Sequence, residues 1–242
     1  MDDETYHVNL ATTNIHMGRD VSVVTSPEHF VEVTNREAAE EECNTPYRVI
    51  QKYVEQPLLW NGFKADLRVH VLTVSTAPHV HYIYFGQIPV RVARKPYTED
   101  NFTDQGAFVT NQALSKREGG GDVVRTWQEL CAYLQENYGH LGDVTVYLQE
   151  RLTKMAAAVL PINTHLLHEL GVSIQAWDVQ LDRFLHPWLM EINNYYGLVG
   201  THIERYIEPM TGQALELLFR HDFKSRHPPE RVQDWQLIPM NV

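Results

Sequence analysis

Apolar and polar positions alternate most clearly in the middle of the chain. Asp66–Ser75 and Val80–Phe85 predict two strands joined across Thr76-Ala77-Pro78, and Pro89–Ala93 predicts a third. Ahead of them, Tyr47–Val54 predicts a buried strand ending near Pro57, and shorter β-like runs occur around Tyr6–Leu10 and Asp20–Val24. Residues 35–46, with three consecutive glutamates at Glu40–Glu42, predict a solvated loop. Residues 98–121 are polar and end in Gly119-Gly120-Gly121, which predicts a linker. The period then becomes helical. Val124, Trp127, Cys131, Leu134 and Tyr138 mark one helix, and a second runs from an Asp143 cap through Leu148, Leu152, Met155 and Val159 to Pro161. Ile174–Leu181 and Pro187–Asn193 predict a hairpin turning at Asp182-Arg183-Phe184, and Thr201–Phe219 a last helix interrupted at Pro209. The tail after it shows no packing pattern. Strands, then helices, then strands indicate an α+β fold.

Composition narrows the classes. Of 242 residues, 43% are hydrophobic and 21% charged, enough apolar material for a core. Twenty Lys and Arg against 31 Asp and Glu leave a net charge of −11, which disfavours general nucleic-acid binding. No apolar run reaches the ~20 residues a membrane span needs. Two cysteines, Cys43 and Cys131, make neither a disulfide framework nor a zinc pattern, and point to a reducing, cytoplasmic setting. Charge is unevenly spread. Residues 28–55 hold seven acids and three bases, whereas residues 61–97 hold one acid and five bases: Lys64, Arg68, Arg91, Arg94 and Lys95. A basic stretch in an acidic chain suits an anionic ligand, or else protects sheet edges from pairing.

Two patterns carry chemistry. In Lys64-Ala65-Asp66-Leu67-Arg68, the three charged residues share one strand face and Ala65 and Leu67 the other. Such a face is either an exposed edge or the wall of a polar cleft. In Trp188-Leu189-Met190-Glu191-Ile192-Asn193, Glu191 and Asn193 share a face, and Asp178 on the preceding strand can meet Glu191 across the hairpin. Oxygen donors of this kind suit a hard cation such as Mg²⁺; the other reading is a polar pair near a turn. His79 and His81, and His165 and His168, lack a third ligand at sensible spacing and read as surface or satisfied histidines.

Taken together, these residues resemble the tubulin–tyrosine ligase family of ATP-grasp enzymes. Val49 to Leu59 is similar to the family's QKY-I-x-x-P-L-L segment, Lys64–Arg68 to its K-F-D-L-R strand, and Trp177-Asp178 through Asn193 to its F-D…PWL-x-E-V-N hairpin. Arg91 and Thr110-Asn111 are weaker matches in the right order. The resemblance implies an ATP-grasp fold, mainly the C-terminal lobe (61–222), with a shortened N-terminal lobe at 1–60 and a tail at 223–242. It implies ATP and Mg²⁺ as cofactors and ligation of an amino acid (tyrosine, glutamate or glycine) to a protein carboxylate. The expected partner is tubulin, or another protein with an acidic tail, in the cytoplasm, cytoskeleton or cilium.

The implied roles are specific. Gln51, Lys52 and Val54 belong to the adenine hinge, Lys64 and Asp66 to the nucleotide cleft, and Arg68 and Arg91 to the phosphates or acyl phosphate. Asp178, Glu191 and Asn193 hold Mg²⁺, Asn193 counting also among the catalytic residues, and Thr110 and Asn111 help close the site. On this reading Arg68→Ala abolishes ligation and changes thermal stability little. The departures lie upstream and at the site's rim. Asn9 stands where a lysine is expected, no lysine precedes Lys52, and Gly18-Arg19-Asp20-Val21 offers one glycine where the family has a glycine-rich loop. Phe108 replaces a usual histidine, and Asn194-Tyr195-Tyr196-Gly197 replaces small residues and a proline. These departures equally suit a truncated or catalytically degenerate member that binds tubulin as a pseudoenzyme.

Overall fold

A computed structural model describes residues 8–12, 22–24, 26–39, 48–76, 78–99, 104–110, 124–163, 171–194, 203–221, 223 and 228–240. In chain order the elements are β1 (Val8–Thr12), β2 (Ser22–Val24), α1 (Pro27–Ala39), β3 (Arg48–Lys52), β4 (Leu59–Trp60), β5 (Phe63–Val74), β6 (Val80–Tyr84), β7 (Pro89–Val92), α2 (Gln105–Phe108), β8 (Val124–Thr126), α3 (Trp127–Tyr138), α4 (Val144–Asn163), β9 (Val172–Leu181), β10 (Pro187–Asn193), α5 (Glu208–Arg220), β11 (Arg231–Val232) and β12 (Trp235–Leu237). Cα packing separates two units, Met1–Ala65 with Arg91–Val123, and Asp66–Val90 with Val124–Val242.

The first unit holds the antiparallel sheet β2-β1-β3, in which Val8 faces Val24 and Leu10 faces Ile50. Helix α1 occupies part of the segment expected to be a loop. Its start is dictated locally: the His29 amide donates to Ser26 Oγ at 3.1 Å, and Pro27 needs no amide partner in the first turn. Among its described side chains only Val33 is buried, against Val24 with Phe30 alongside, an apolar stripe too thin to show as a period. Strand β3 corrects a second expectation. Val49 and Ile50 are 48% and 56% exposed, so this is not a buried strand. A tight hairpin follows, with Leu59 facing Lys64 and Trp60 facing Phe63. Its two turn residues, Asn61 and Gly62, have φ of 50° and 85°, as a type I′ turn requires. That Asn-Gly pair is a strong hairpin signal missing from the expected elements. The short helix α2, capped by Asp104 through the Gly106 amide, falls in the polar stretch 98–121, where no element was expected, while the linker expected at Gly119-Gly120-Gly121 lies outside the described residues.

The second unit is built on an antiparallel sheet in the order β10-β9-β5-β6-β12-β11. One face is apolar toward the β6 side. Leu72, Val74, Tyr82, Tyr84 and Trp235 pack there with Tyr206, Met210, Ala214 and Leu217 on and just before α5. Helix α3 begins at Trp127 rather than Val124, because Thr126 and Glu129 form a reciprocal capping box and Val124–Thr126 stays extended. Asp143 caps α4 through the Val146 amide (3.1 Å), as expected. This helix passes Pro161 and ends at Asn163, so the proline sits in its last turn. Pro209 stands at the second residue of α5, directly after a π-helical turn over Ile203–Ile207, so the last helix changes type next to the proline, as an interruption there predicts. The tail is also not unpacked. β12 pairs with β6, and Trp235 is fully buried with its ring 5.0 Å from that of Tyr84. A three-residue strand is too short to display a period.

Candidate active site

Strand β5 lies in the centre of the second unit's sheet because its alternate residues satisfy both faces. Leu67, Val69 and Val71 are buried on one side. On the other side, Asp66, Arg68 and His70 precede the apolar Leu72 and Val74, so this face changes from polar to apolar along the strand. The antiparallel register extends each polar residue into a row. Asp66 faces Gln180, which faces Trp188. Arg68 faces Asp178, which faces Glu191. His70 faces Ala176, which faces Asn193.

The middle row depends on a β-bulge. Leu189 is opposite Val179, yet Glu191 is opposite Asp178, which leaves Met190 as the extra residue. In an unbroken ladder Met190 would face Asp178 and Glu191 would face Trp177 on the apolar side. The bulge re-aims the carboxylate to the polar side and returns Ile192 to a position beside Trp177. At the hairpin turn, Asp182 Oδ1 accepts the amides of Phe184 (2.8 Å) and His186 (3.0 Å), and its Oδ2 accepts Trp188 Nε1–H (3.0 Å).

Arg68 and Asp178 form a buried, two-pronged ion pair. Nε donates to Oδ1 and Nη2 to Oδ2, both at 2.9 Å, with side chains 10% and 12% exposed. The fork geometry fixes both groups. Burial pushes the His70 imidazole down to about 3, with the neighbouring Arg68 charge acting in the same direction, so this ring is neutral at pH 7. The row's net charge therefore comes from Glu191, whose side chain is exposed. Asn193 completes the oxygen-bearing set, and its Nδ2 is buried with no hydrogen-bond partner. Two carboxylates and an amide on adjacent strands fit a hard cation. Among the described residues no group of three or more His, Cys, Asp and Glu that could hold a metal occurs, so any cation here depends on the amide as well.

The remaining expected residues lie in the first unit. Lys64 Nζ donates to the Phe108 carbonyl at 3.1 Å and stands 5.0 Å from the centre of the Tyr53 ring. Tyr53 and Phe108 belong to a small core with Val23 and Val109, and burial pushes the Tyr53 phenol well above its ordinary pKa. Phe108 thus offers Lys64 a backbone oxygen. Lys52 is 66% exposed with Glu55 at 3.9 Å, Gln51 and Val54 are half-buried, and Arg91 is buried on β7. Thr110 is half-buried, and Asn111 lies outside the described residues.

Sequence reasoning missed two members of the rows. His70 continues the Lys64, Asp66, Arg68 alternation by one step and could have been found from it. Gln180 stands two residues after Asp178 on the same face. No periodicity could have revealed the extra residue at Met190.

Comparison with known proteins agrees with the motifs. The model of the tubulin-tyrosine ligase family matches residues 10–198. Human tubulin polyglutamylase TTLL6 is 26% identical over 164 residues, covering 60% of this chain and 18% of that protein. Tubulin glycylase 3E of Tetrahymena thermophila is 30% identical over 162 residues, covering 60% and 11%. The probable tubulin polyglutamylase TTLL9 of Bos taurus is 28% identical over 167 residues, covering 65% and 35%. The chain thus spans roughly a tenth to a third of the length of these relatives. With a match over most of its length, and the K-A-D-L-R and PWL-M-E-I-N strands adjoining β9 on either side in one sheet, the chain belongs to the tubulin-tyrosine ligase family.

Proposed function

We propose that the chain carries the metal-binding side of an ATP- and Mg²⁺-dependent ligase that joins an amino acid to a protein carboxylate, the acidic tail of tubulin. The observation that carries this reading is the Arg68, Asp178, Glu191 row beside Asn193, which exists only because of the Met190 bulge. Asp178, Glu191 and Asn193 would hold Mg²⁺, whose chemistry there is to neutralise phosphate oxygens. Arg68 holds Asp178 in place and brings a second positive charge to that face. By family resemblance, Gln51, Lys52 and Val54 meet adenine, Lys64 and Asp66 face the nucleotide, and Arg91 with Thr110 and Asn111 faces the phosphates and acceptor. Relatives named for polyglutamylation and glycylation favour glutamate or glycine as the added amino acid.

A second reading, a pseudoenzyme that binds tubulin without ligation, is favoured by one observation: Asn9 stands where the family has a lysine. One charged phosphate contact is worth about 1.5–3 kcal/mol, roughly ten- to 150-fold in nucleotide affinity. Calorimetric titration with Mg²⁺ and a non-hydrolysable ATP analogue, paired with incorporation of labelled glutamate or glycine into tubulin, decides. Micromolar binding with turnover is expected for the ligase. Tubulin binding with neither would establish the pseudoenzyme.

A further inference from the structure

Helix α5 carries two seams, and the protein's own core fills only one. Met210, Ala214 and Leu217 point inward and pack with Tyr82, Tyr84 and Trp235. On the opposite side Glu208, Gly212, Leu215 and Phe219 fall at spacings of four, three and four residues, the repeat of a helix-pairing seam. Leu215 is 48% exposed, and Phe219, at 85%, is the most exposed large apolar side chain among the described residues. Gly212 lies in the interior of the helix, where glycine is less stable than alanine. A methyl group there would meet nothing within 4 Å, so the molecule's own packing does not require a glycine. A second backbone approaching that point does require one. The seam thus bears a projection, Phe219, and a notch, Gly212, two turns apart. The two are complementary when a copy of the same helix is laid against it in the opposite direction.

From this pattern we infer that α5 is a dimerisation helix, covered by α5 of a second copy running antiparallel about a two-fold axis near Leu215. Phe219 of each copy then lies over Gly212 of the other, and the two Leu215 side chains meet at the axis. The charges select this direction. At the start of the seam stand Glu204, Glu208 and Arg205, whose guanidinium lies 5.5 Å from the Tyr206 ring centre. At its end Arg220 pairs with Glu216 at 2.8 Å, and Glu216 also accepts from Gln233. The adjoining β11–β12 hairpin adds Arg231, bonded to the Gln233 carbonyl, and Asp234, bonded to Gln213. The end is therefore balanced and the start carries an excess of acid. An antiparallel pair keeps each Glu208 about 20 Å from its copy, at 1.5 Å per residue, whereas a parallel pair sets them side by side. One helix face per copy makes an interface at the low end of sizes, and each copy carries a net charge of −11. The dimer is thus a weak one that tightens as salt screens the long-range repulsion. None of this rests on the ligase reading above.

The test is sedimentation equilibrium of the full chain from micromolar to near-millimolar concentration, where a monomer–dimer equilibrium with no larger species is expected. Leu215→Ser and Phe219→Ser, both at exposed positions, should each weaken dimerisation at least about tenfold, since each change removes an anchor from both copies. The melting temperature of the dilute chain should stay unchanged in both variants. Gly212→Ala separates pairing from helix stability. It should raise the melting temperature of the dilute chain by about 2–4 °C, as helix propensity dictates, and weaken the dimer about tenfold. In a Cys43→Ser background, with Cys131 buried, Leu215→Cys should form an intermolecular disulfide under mild oxidation and Glu208→Cys should not. A monomer at every concentration, a dimer indifferent to Phe219→Ser, or a Gly212→Ala variant that pairs as tightly as the parent would overturn the inference. Equal cross-linking through Glu208→Cys would overturn the antiparallel order.

Discussion

Arg68 was expected to tolerate truncation without loss of stability, as a cleft residue would. The structure reverses this. Removing the guanidinium leaves Asp178 buried and unpaired, and breaking one side of such a pair costs about 3–5 kcal/mol. Arg68→Ala should lower the urea midpoint by a corresponding amount, and the Arg68→Ala, Asp178→Ala double variant should recover part of it. Equal stability of Arg68→Ala and the parent protein would show that the pair contributes nothing. Two histidines make stability depend on pH. Burial holds His70 down to about 3 and His81, hydrogen-bonded through Nδ1 to Thr73, down to about 4, against an ordinary value of 6.5. The unfolded chain takes up a proton at each ring near pH 6.5, and the folded chain does not. Their contribution is complete above that pH and is lost as pH falls toward about 4 and about 3. The loss amounts to up to ~1.4 kcal/mol per pH unit per ring. Urea midpoints measured at pH 7 and pH 5 should differ in that sense, and His81→Gln should flatten the slope.

At the scale of elements, the deciding feature is one inserted residue. Deleting Met190 removes the extra residue and leaves an unbroken ladder in which Glu191 still faces Asp178, so Mg²⁺ binding should survive the deletion. Glu191→Gln should instead lose Mg²⁺ binding by calorimetry with the far-ultraviolet dichroism retained. Undiminished Mg²⁺ binding in Glu191→Gln would remove Glu191 from the ligand set. The elements most legible in the sequence were those with the longest alternation. β5, β6 and the β9–β10 hairpin lie where Asp66–Ser75, Val80–Phe85, Ile174–Leu181 and Pro187–Asn193 place them; β5, β6 and most of β9 are buried and must alternate or run apolar, and β10 is marked by its PWL-M-E-I-N motif. Helix α1 and strand β12 were not legible, since one buries little more than Val33 among its described side chains and the other is three residues long. Their signals are local: a Ser-Pro start in one and a single Trp235 in the other. The candidate site divides in the same way. Motif spacing led to Asp178, Glu191 and Asn193, whereas the Arg68–Asp178 pairing is a long-range register that no local pattern encodes.

Across the whole molecule, the sheet of the second unit is assembled from distant segments. Arg68 and Asp178 are 110 residues apart, and Tyr82 donates its phenol to the Pro229 carbonyl across 147 residues. Trp235 closes the core at the far side of this sheet, and Gln213 fastens its hairpin by bonding Asp234 through both ends of its amide. Trp235→Ala should therefore cost about 3–5 kcal/mol and lower the cooperative melting transition of the whole sheet. A separate, low-temperature transition confined to the tail would show that β12 is only loosely attached.

The central position of β5 and β6 also has a consequence for biosynthesis. The ribosome makes this hairpin first, and both of its flanks wait for partners encoded far downstream: β5 for β9, β6 for β12. At about 5–20 residues per second, the 110 residues separating Arg68 from Asp178 correspond to a wait of roughly 5–20 s. During that interval a valine- and tyrosine-rich ribbon presents unpaired amides and carbonyls on two sides, the arrangement through which nascent chains pair with one another. Yield of native protein should therefore be limited by capture of the half-made sheet, so that slowed translation of residues 85–170 lowers it and co-expressed holdase chaperones raise it.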